Sequence, residues 1–124
     1  LYVVLYGAYG LCVRQGTIDQ VAQEMEHYLS LQQKYYDEGN VPETVKYALQ
    51  FDKCIVTGTK NSYLISMYEH IEDIFYLMAL HSNQRGEDDR HNNFTEHKMI
   101  LKSIQEHDAA ALHKWLGIHY DKHL

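Results

Sequence analysis

Residues 92–120 read NNFTEHKMILKSIQEHDAAALHKWLGIHY, and this stretch decides the fold. Phe94, His97, Leu101 and Ile104 recur at helical spacing and share one face. Leu112, Trp115, Leu116 and His119 do the same further on. The pattern predicts two helices joined by a tight turn, the first capped by Asn92 or Asn93 with Glu96 in its first turn, the second capped by Asp108. Each apolar face carries one histidine. An imidazole turned inward needs a hydrogen-bond partner or a metal.

Upstream the chain reads as four more helices. Leu1 to Arg14 forms the first, weakened by Gly7 and Gly10, whose small size suits close packing of another helix, and it ends at Gly16. Thr17 and Gln20 have the spacing of a capping box. The helix they open runs to about Glu38, with Ile18, Val21, Ala22, Met25, Tyr28, Leu29 and Gln32 along one face, and Gly39-Asn40 stops it. Pro42 opens a third helix, and Gly58 closes it. Asn61 or Ser62 starts a long fourth helix ending near His81 to Gln84, and residues 86–90 read as a solvated loop. No alternating strand pattern is present. The fold class expected is all-α, an antiparallel bundle of about six helices in one domain spanning residues 1–124.

Asp52 interrupts the apolar stripe of the third helix, one turn after Ala48 and Leu49 and one turn before Ile55 and Val56. A carboxylate there costs several kcal/mol unless a Lys, a Tyr hydroxyl, a helix end or a cation satisfies it.

Two runs of residues carry a resemblance. Glu96-His97, then Ile100, Ile104, Asp108, Ala111 and His119, resembles the end of the FCD domain, the helical effector domain of GntR-type bacterial transcription regulators. Phe51-Asp52-Lys53-Cys54-Ile55-Val56, followed by Asn61-Ser62-Tyr63-Leu64, is similar to the family's Asp-x-x-Phe-His segment and the Asn-x-x-Leu after it. The six-helix count resembles the VanR-like branch. By position, the resemblance implies a divalent metal, zinc foremost, on Asp52, His97 and His119, and a small-molecule effector, a carboxylate foremost, near Asp52, Asn61, His70, His97 and His119. It departs at Val56, which stands where the family has a further histidine ligand, and at Leu5-Tyr6, where the family has Leu-Glu. Three protein ligands leave an open position for water or an effector carboxylate.

The resemblance also implies a homodimer, a cytoplasmic location, and DNA contact through a winged-helix domain upstream of Leu1 rather than through this segment. The apolar opening at Leu1, Val4 and Leu5 is read as the start of a fragment and as a further motive for a homodimer, with no pairing face assigned. A net charge of −6 argues against this segment gripping a phosphate backbone itself. Cys12 and Cys54 lack metal-site spacing and read as reduced thiols.

Other histidine patterns carry less. His107-Asp108 is the dipeptide of a helical metal-dependent hydrolase, the alternative function, but Asp108 is better used as a cap and no general base is evident. His119 and His123 form an i, i+4 pair at the chain end. His27, His70, His81, His91 and His113 lie off the apolar stripes or near loops and are expected in solvent, His70 being the one that the resemblance also places beside the effector. No nucleophile motif or phosphate loop is present, so the expectation is a sensor and not an enzyme.

Overall fold

The computed structural model describes residues 1–83 and 87–121. Among them run six helices and no strand: α1 (Tyr2–Gln15), α2 (Ile18–Asp37), α3 (Val41–Thr57), α4 (Ser62–Asn83), α5 (Glu87–Gln105) and α6 (Ala109–Asp121). No helix of the described residues is long and apolar enough to cross a membrane. Gly86, Lys122 and His123 lie outside the described residues, and with them part of the expected loop and the i, i+4 histidine pair.

The helix ends follow local chemistry. Gly16 adopts the left-handed conformation (φ 74°), and its N–H and that of Thr17 return to Val13 and Cys12. Asn40 caps α3 by accepting from the Glu43 N–H at 3.2 Å, with Pro42 in the first turn. Asp108 caps α6, accepting from the Ala111 N–H at 3.0 Å. The expected capping box at Thr17 does not form. Thr17 has helical backbone angles, and its hydroxyl donates instead to the Gly58 carbonyl at 2.9 Å, satisfying the end of α3.

The start of α5 also differs from expectation. The helix begins at Glu87, and Asn92 and Asn93 lie inside it. Glu96 therefore falls in the third turn, with consequences for the site.

The core joins all six helices. Leu5, Met25, Phe51, Ile55, Val56, Ile100, Leu112 and Leu116 are fully buried, with Tyr68 of α4 and Ile104 of α5 at 1% exposure. α3 is central, packing on α1, α2 and α4, while α5 packs on α2 and α6. Gly7 and Gly10 face open space, so no helix of this chain uses them for close approach. The glycine that permits close packing is Gly58. Its φ is −64°, open to any residue, but a Cβ there would run into Val21 and press on Cys12 Sγ. Lys53 holds α4 to α3 through Glu72 at 3.0 Å and Glu69 at 3.5 Å.

Candidate metal centre

Four helices deliver polar side chains to one point in the interior. α3 brings Asp52, α5 brings Glu96 and His97, α6 brings His119 and Tyr120, and α2 brings Gln32. Asp52 is 4% exposed, His97 1% and His119 5%. One ligand atom from each of these three lies within 4.8 Å of the others, the one such group among the described residues.

Each imidazole is tethered through Nδ1. His97 Nδ1 lies 2.8 Å from Gln32 Oε1, and His119 Nδ1 lies 2.8 Å from Glu96 Oε1. With an oxygen acceptor on Nδ1, the ring proton sits there and Nε2 presents a lone pair. Oriented rings with a free Nε2 are what a metal-ligating histidine requires. Phe51 stacks on His97 at 4.2 Å between ring centres, and the two imidazoles sit 4.7 Å apart. Ring orientation is thus fixed from several sides.

Asp52 has two differently used oxygens. Oδ2 accepts from the Tyr120 hydroxyl at 2.8 Å. Oδ1 lies 3.4 Å from His97 Nε2, and neither atom has a hydrogen-bond partner. Two buried acceptors facing each other repel unless a proton or a cation lies between them. This orphaned pair fits a divalent cation, and nitrogen and carboxylate donors suit zinc.

Burial pushes the Asp52 carboxyl up, but His97, His119 and the Tyr120 hydroxyl outweigh it and hold it below the usual carboxylate value, a pull that needs a proton or positive charge opposite Oδ1. Burial holds His119 below the ordinary histidine value against the upward pull of Glu96. A neutral imidazole is the form that ligates a metal. Burial and the Asp52 charge keep the Tyr120 hydroxyl protonated, so it remains a donor. Burial pushes the Cys54 thiol up to about 12 and raises Cys12 as well. Both cysteines are buried and unpaired, which rules them out as nucleophiles.

The structure gathers Asp52, His97 and His119 and leaves two other expected residues elsewhere. Asn61 is the cap of α4, its Oδ1 accepting from the Tyr63 and Leu64 N–H groups at 3.0 and 3.2 Å. His70 is exposed on α4. Glu96 was expected to serve the helix dipole and instead orients His119. Gln32 and Tyr120 had no expected role. The signal for Gln32 was present, since an amide on the inward stripe of α2 needs a partner. Val56, one turn beyond Asp52, is fully buried and supplies no ligand. An open cleft of about 530 Å³ lies between the start of α1 and α6, lined by Tyr2, His113, Lys114, Gly117 and Ile118. It contains none of the three gathered residues.

The described residues form a helical bundle with a buried Asp52–His97–His119 cluster. The model of the FCD domain family matches residues 6–122, and the chain belongs to that family, the effector domains of GntR-family regulators. No curated protein and no solved structure matches the chain.

Proposed function

We propose that this chain is the effector-sensing and dimerisation domain of a cytoplasmic transcription regulator. A small carboxylate is its effector, and Asp52, His97 and His119 hold a divalent metal, zinc foremost. The observation that carries the reading is the unpartnered pair Asp52 Oδ1 and His97 Nε2, 3.4 Å apart inside the bundle, with both histidine Nδ1 atoms already engaged. A core without a use for a cation gains nothing from that arrangement and bears its cost.

The bound metal would supply a Lewis-acid anchor for a carboxylate, with Val56 leaving the fourth position open. The chain's own residues do the rest. Gln32 and Glu96 hold the two imidazoles in one tautomer. Tyr120, partly buried, covers Asp52 from α6 and is the side chain an incoming carboxylate would meet. Displacing it shifts the last turns of α6, and such a shift is a means by which a ligand favours one arrangement of a dimer. DNA contact belongs to a winged-helix domain elsewhere in the regulator, consistent with the net charge of −6 here.

Zinc titration by calorimetry of chain stripped with chelator tests the reading. One ion per chain is expected, with binding lost in Asp52→Ala, His97→Ala and His119→Ala variants that keep their helical circular dichroism. Wild-type chain that takes up no divalent ion would overturn the metal part. Citrate and simpler di- and monocarboxylates, titrated into the metal-loaded and stripped chain, test the effector class.

A further inference from the structure

α6 has two working faces. Leu112, Leu116 and His119 are buried in the bundle, while His113, Lys114 and Ile118 are exposed on another side. That outer side and the first turn of α1 are the walls of the open cleft of about 530 Å³. The volume lies within the ~300–1,000 Å³ of small-molecule sites.

The α1 wall is aromatic and already ordered. Tyr2 and Tyr6, one turn apart, stack with ring centres 6.2 Å apart and planes 14° from parallel. His113 stands across both, 5.4 Å from Tyr2 and 5.2 Å from Tyr6, at 88° and 84° to their planes. Edge-to-face rings at these distances attract one another. His113 is therefore exposed and yet held, by two rings of another helix.

The α6 wall supplies charge and room. Lys114 brings an ammonium group, and no acidic side chain lines the cleft, in a chain of net charge −6. Lys114 Nζ rests over the Trp115 ring at 5.3 Å, a contact that solvent weakens and an anion can replace. Gly117 follows His113 and Lys114 by one turn on the same wall and puts no side chain into the space. Ile118 on α6, 41% exposed, and the Tyr2 ring on α1 add apolar surface, one from each helix.

We propose that this cleft is a second ligand site, separate from the metal centre, for a small aromatic carboxylate. The flat ring lies against Tyr2 and Ile118, and the carboxylate takes the Lys114 ammonium and a ring N–H of His113. An ammonium group alone attracts any anion, and an aromatic wall alone accepts any flat ring. A ligand that satisfies both is narrower in class. None of the cleft residues is among Asp52, His97 and His119, so the site does not depend on a metal. A molecule bound there bridges α1 and α6, and so bears on the helix that carries His119 and Tyr120 without touching either.

Benzoate is the probe, with acetate and benzyl alcohol as its two halves. Titration of the isotope-labelled, metal-stripped chain by NMR reads the amides of Gly117 and Ile118. Benzoate is expected to shift them saturably, one molecule per chain. Acetate lacks the apolar ring and benzyl alcohol the charge, and each should bind at least ~10-fold more weakly. Lys114→Gln should weaken benzoate at least ~10-fold, and Gly117→Leu, which fills the cleft, should abolish its binding, both with unchanged helical circular dichroism. If Gly117→Leu loses its fold, Tyr2→Ala takes its place, with the same expectation. His97→Ala should leave benzoate binding intact. Benzoate that leaves Gly117 and Ile118 unmoved at millimolar concentration, that binds no more tightly than benzyl alcohol, or that ignores Lys114→Gln overturns the site. Binding that needs zinc and is lost in His97→Ala puts the carboxylate at the metal centre, which overturns the cleft and supports the effector reading.

Discussion

The cluster around Asp52 and the cleft between α1 and α6 share a helix, α6, and are built in opposite ways. Inside, three ionisable side chains at 5% exposure or less occupy positions that Leu or Val could fill more cheaply. Outside, His113 and Lys114 stand in water, where polar and charged side chains carry no such penalty. The inner arrangement is not explained by the stability of one isolated chain, and is explained if a cation completes it. The outer one is stable as it stands, and a ligand there adds contacts without repairing any. The two also differ in construction. The inner cluster draws on four helices and is oriented by Gln32 and Glu96, whereas the cleft needs only α1, α6 and the open space between them.

The largest expected effect sets the two regions against each other. His97→Ala should abolish zinc binding, because His97 would supply one of the three proposed ligands and is half of the unpartnered pair. Lys114→Gln should leave zinc affinity unchanged while weakening benzoate binding. Titrating both variants with both probes makes a two-by-two comparison. Zinc binding that survives His97→Ala at full strength would remove the metal reading of the inner cluster.

Glu96→Gln should act more mildly. The change keeps a hydrogen-bond acceptor near His119 Nδ1 but removes the charge that favours the oriented ring. Changes in such outer groups cost ~10–100-fold in metal affinity, and a loss in that range is expected in the same titration. Metal affinity identical to wild type would mean that Glu96 only fills space.

These expectations rest on residues that were unequally legible in the sequence. Asp52, His97 and His119 could be read because each is polar on an apolar stripe, and inward placement follows from helical period alone. Gln32 met the same criterion. Glu96 did not, because Asn92 and Asn93 offered a plausible cap and moved the apparent helix start by more than one turn. Local cap signals cannot outvote a helix that continues upstream. Tyr120 could not be read, since its hydroxyl meets a carboxylate 68 positions away in sequence and no periodicity encodes that pairing. Asn61 as a cap and His70 in solvent were legible from local pattern, while their effector roles entered through resemblance alone. The cleft could not be read. Helical period puts His113 in solvent, and it is exposed, but its packing across Tyr2 and Tyr6 joins α6 to the first helix, which no local pattern encodes.

Val56 offers a gain of function in place of a loss. Residue 56 is one turn beyond Asp52 on the same helix, so an imidazole there could reach an ion held by Asp52. Val56→His should raise zinc affinity ~10-fold or more, the scale of outer-group effects on such sites. Without metal it should lose ~1–3 kcal/mol, because Val56 is fully buried and the new ring nitrogens lack partners. Zinc should then raise the melting temperature of this variant more than that of wild type. Destabilisation with no tighter binding would show that position 56 belongs to the core alone and that the open coordination position lies elsewhere.

The smallest expected effect is the pH dependence of the metal-free chain, and it tests whether the inner cluster is neutral. Burial holds His119 below the ordinary value of 6.5. As pH falls through 6.5, the unfolded chain takes up a proton at this position and the folded chain does not. Between the two values the unfolded state binds more protons, so this contribution is complete above 6.5 and declines as pH falls toward the folded value. Asp52 acts in the same direction lower down. Its carboxyl is held below 3.8, so its contribution is present above 3.8 and lost as pH falls through the folded value. The urea midpoint of stripped chain should therefore fall on acidification from about pH 7 to pH 5, and His119→Gln should flatten that part of the curve. Zinc should steepen it, since protons compete with the metal for imidazole. Lys114→Gln should retain the His119 dependence, because the cleft carries none of these groups. A midpoint that rises on acidification, and loses that rise in His119→Gln, would mean that the folded chain holds His119 as a cation paired with Glu96. The pair would then satisfy itself, and the inner cluster would no longer need a metal to complete it.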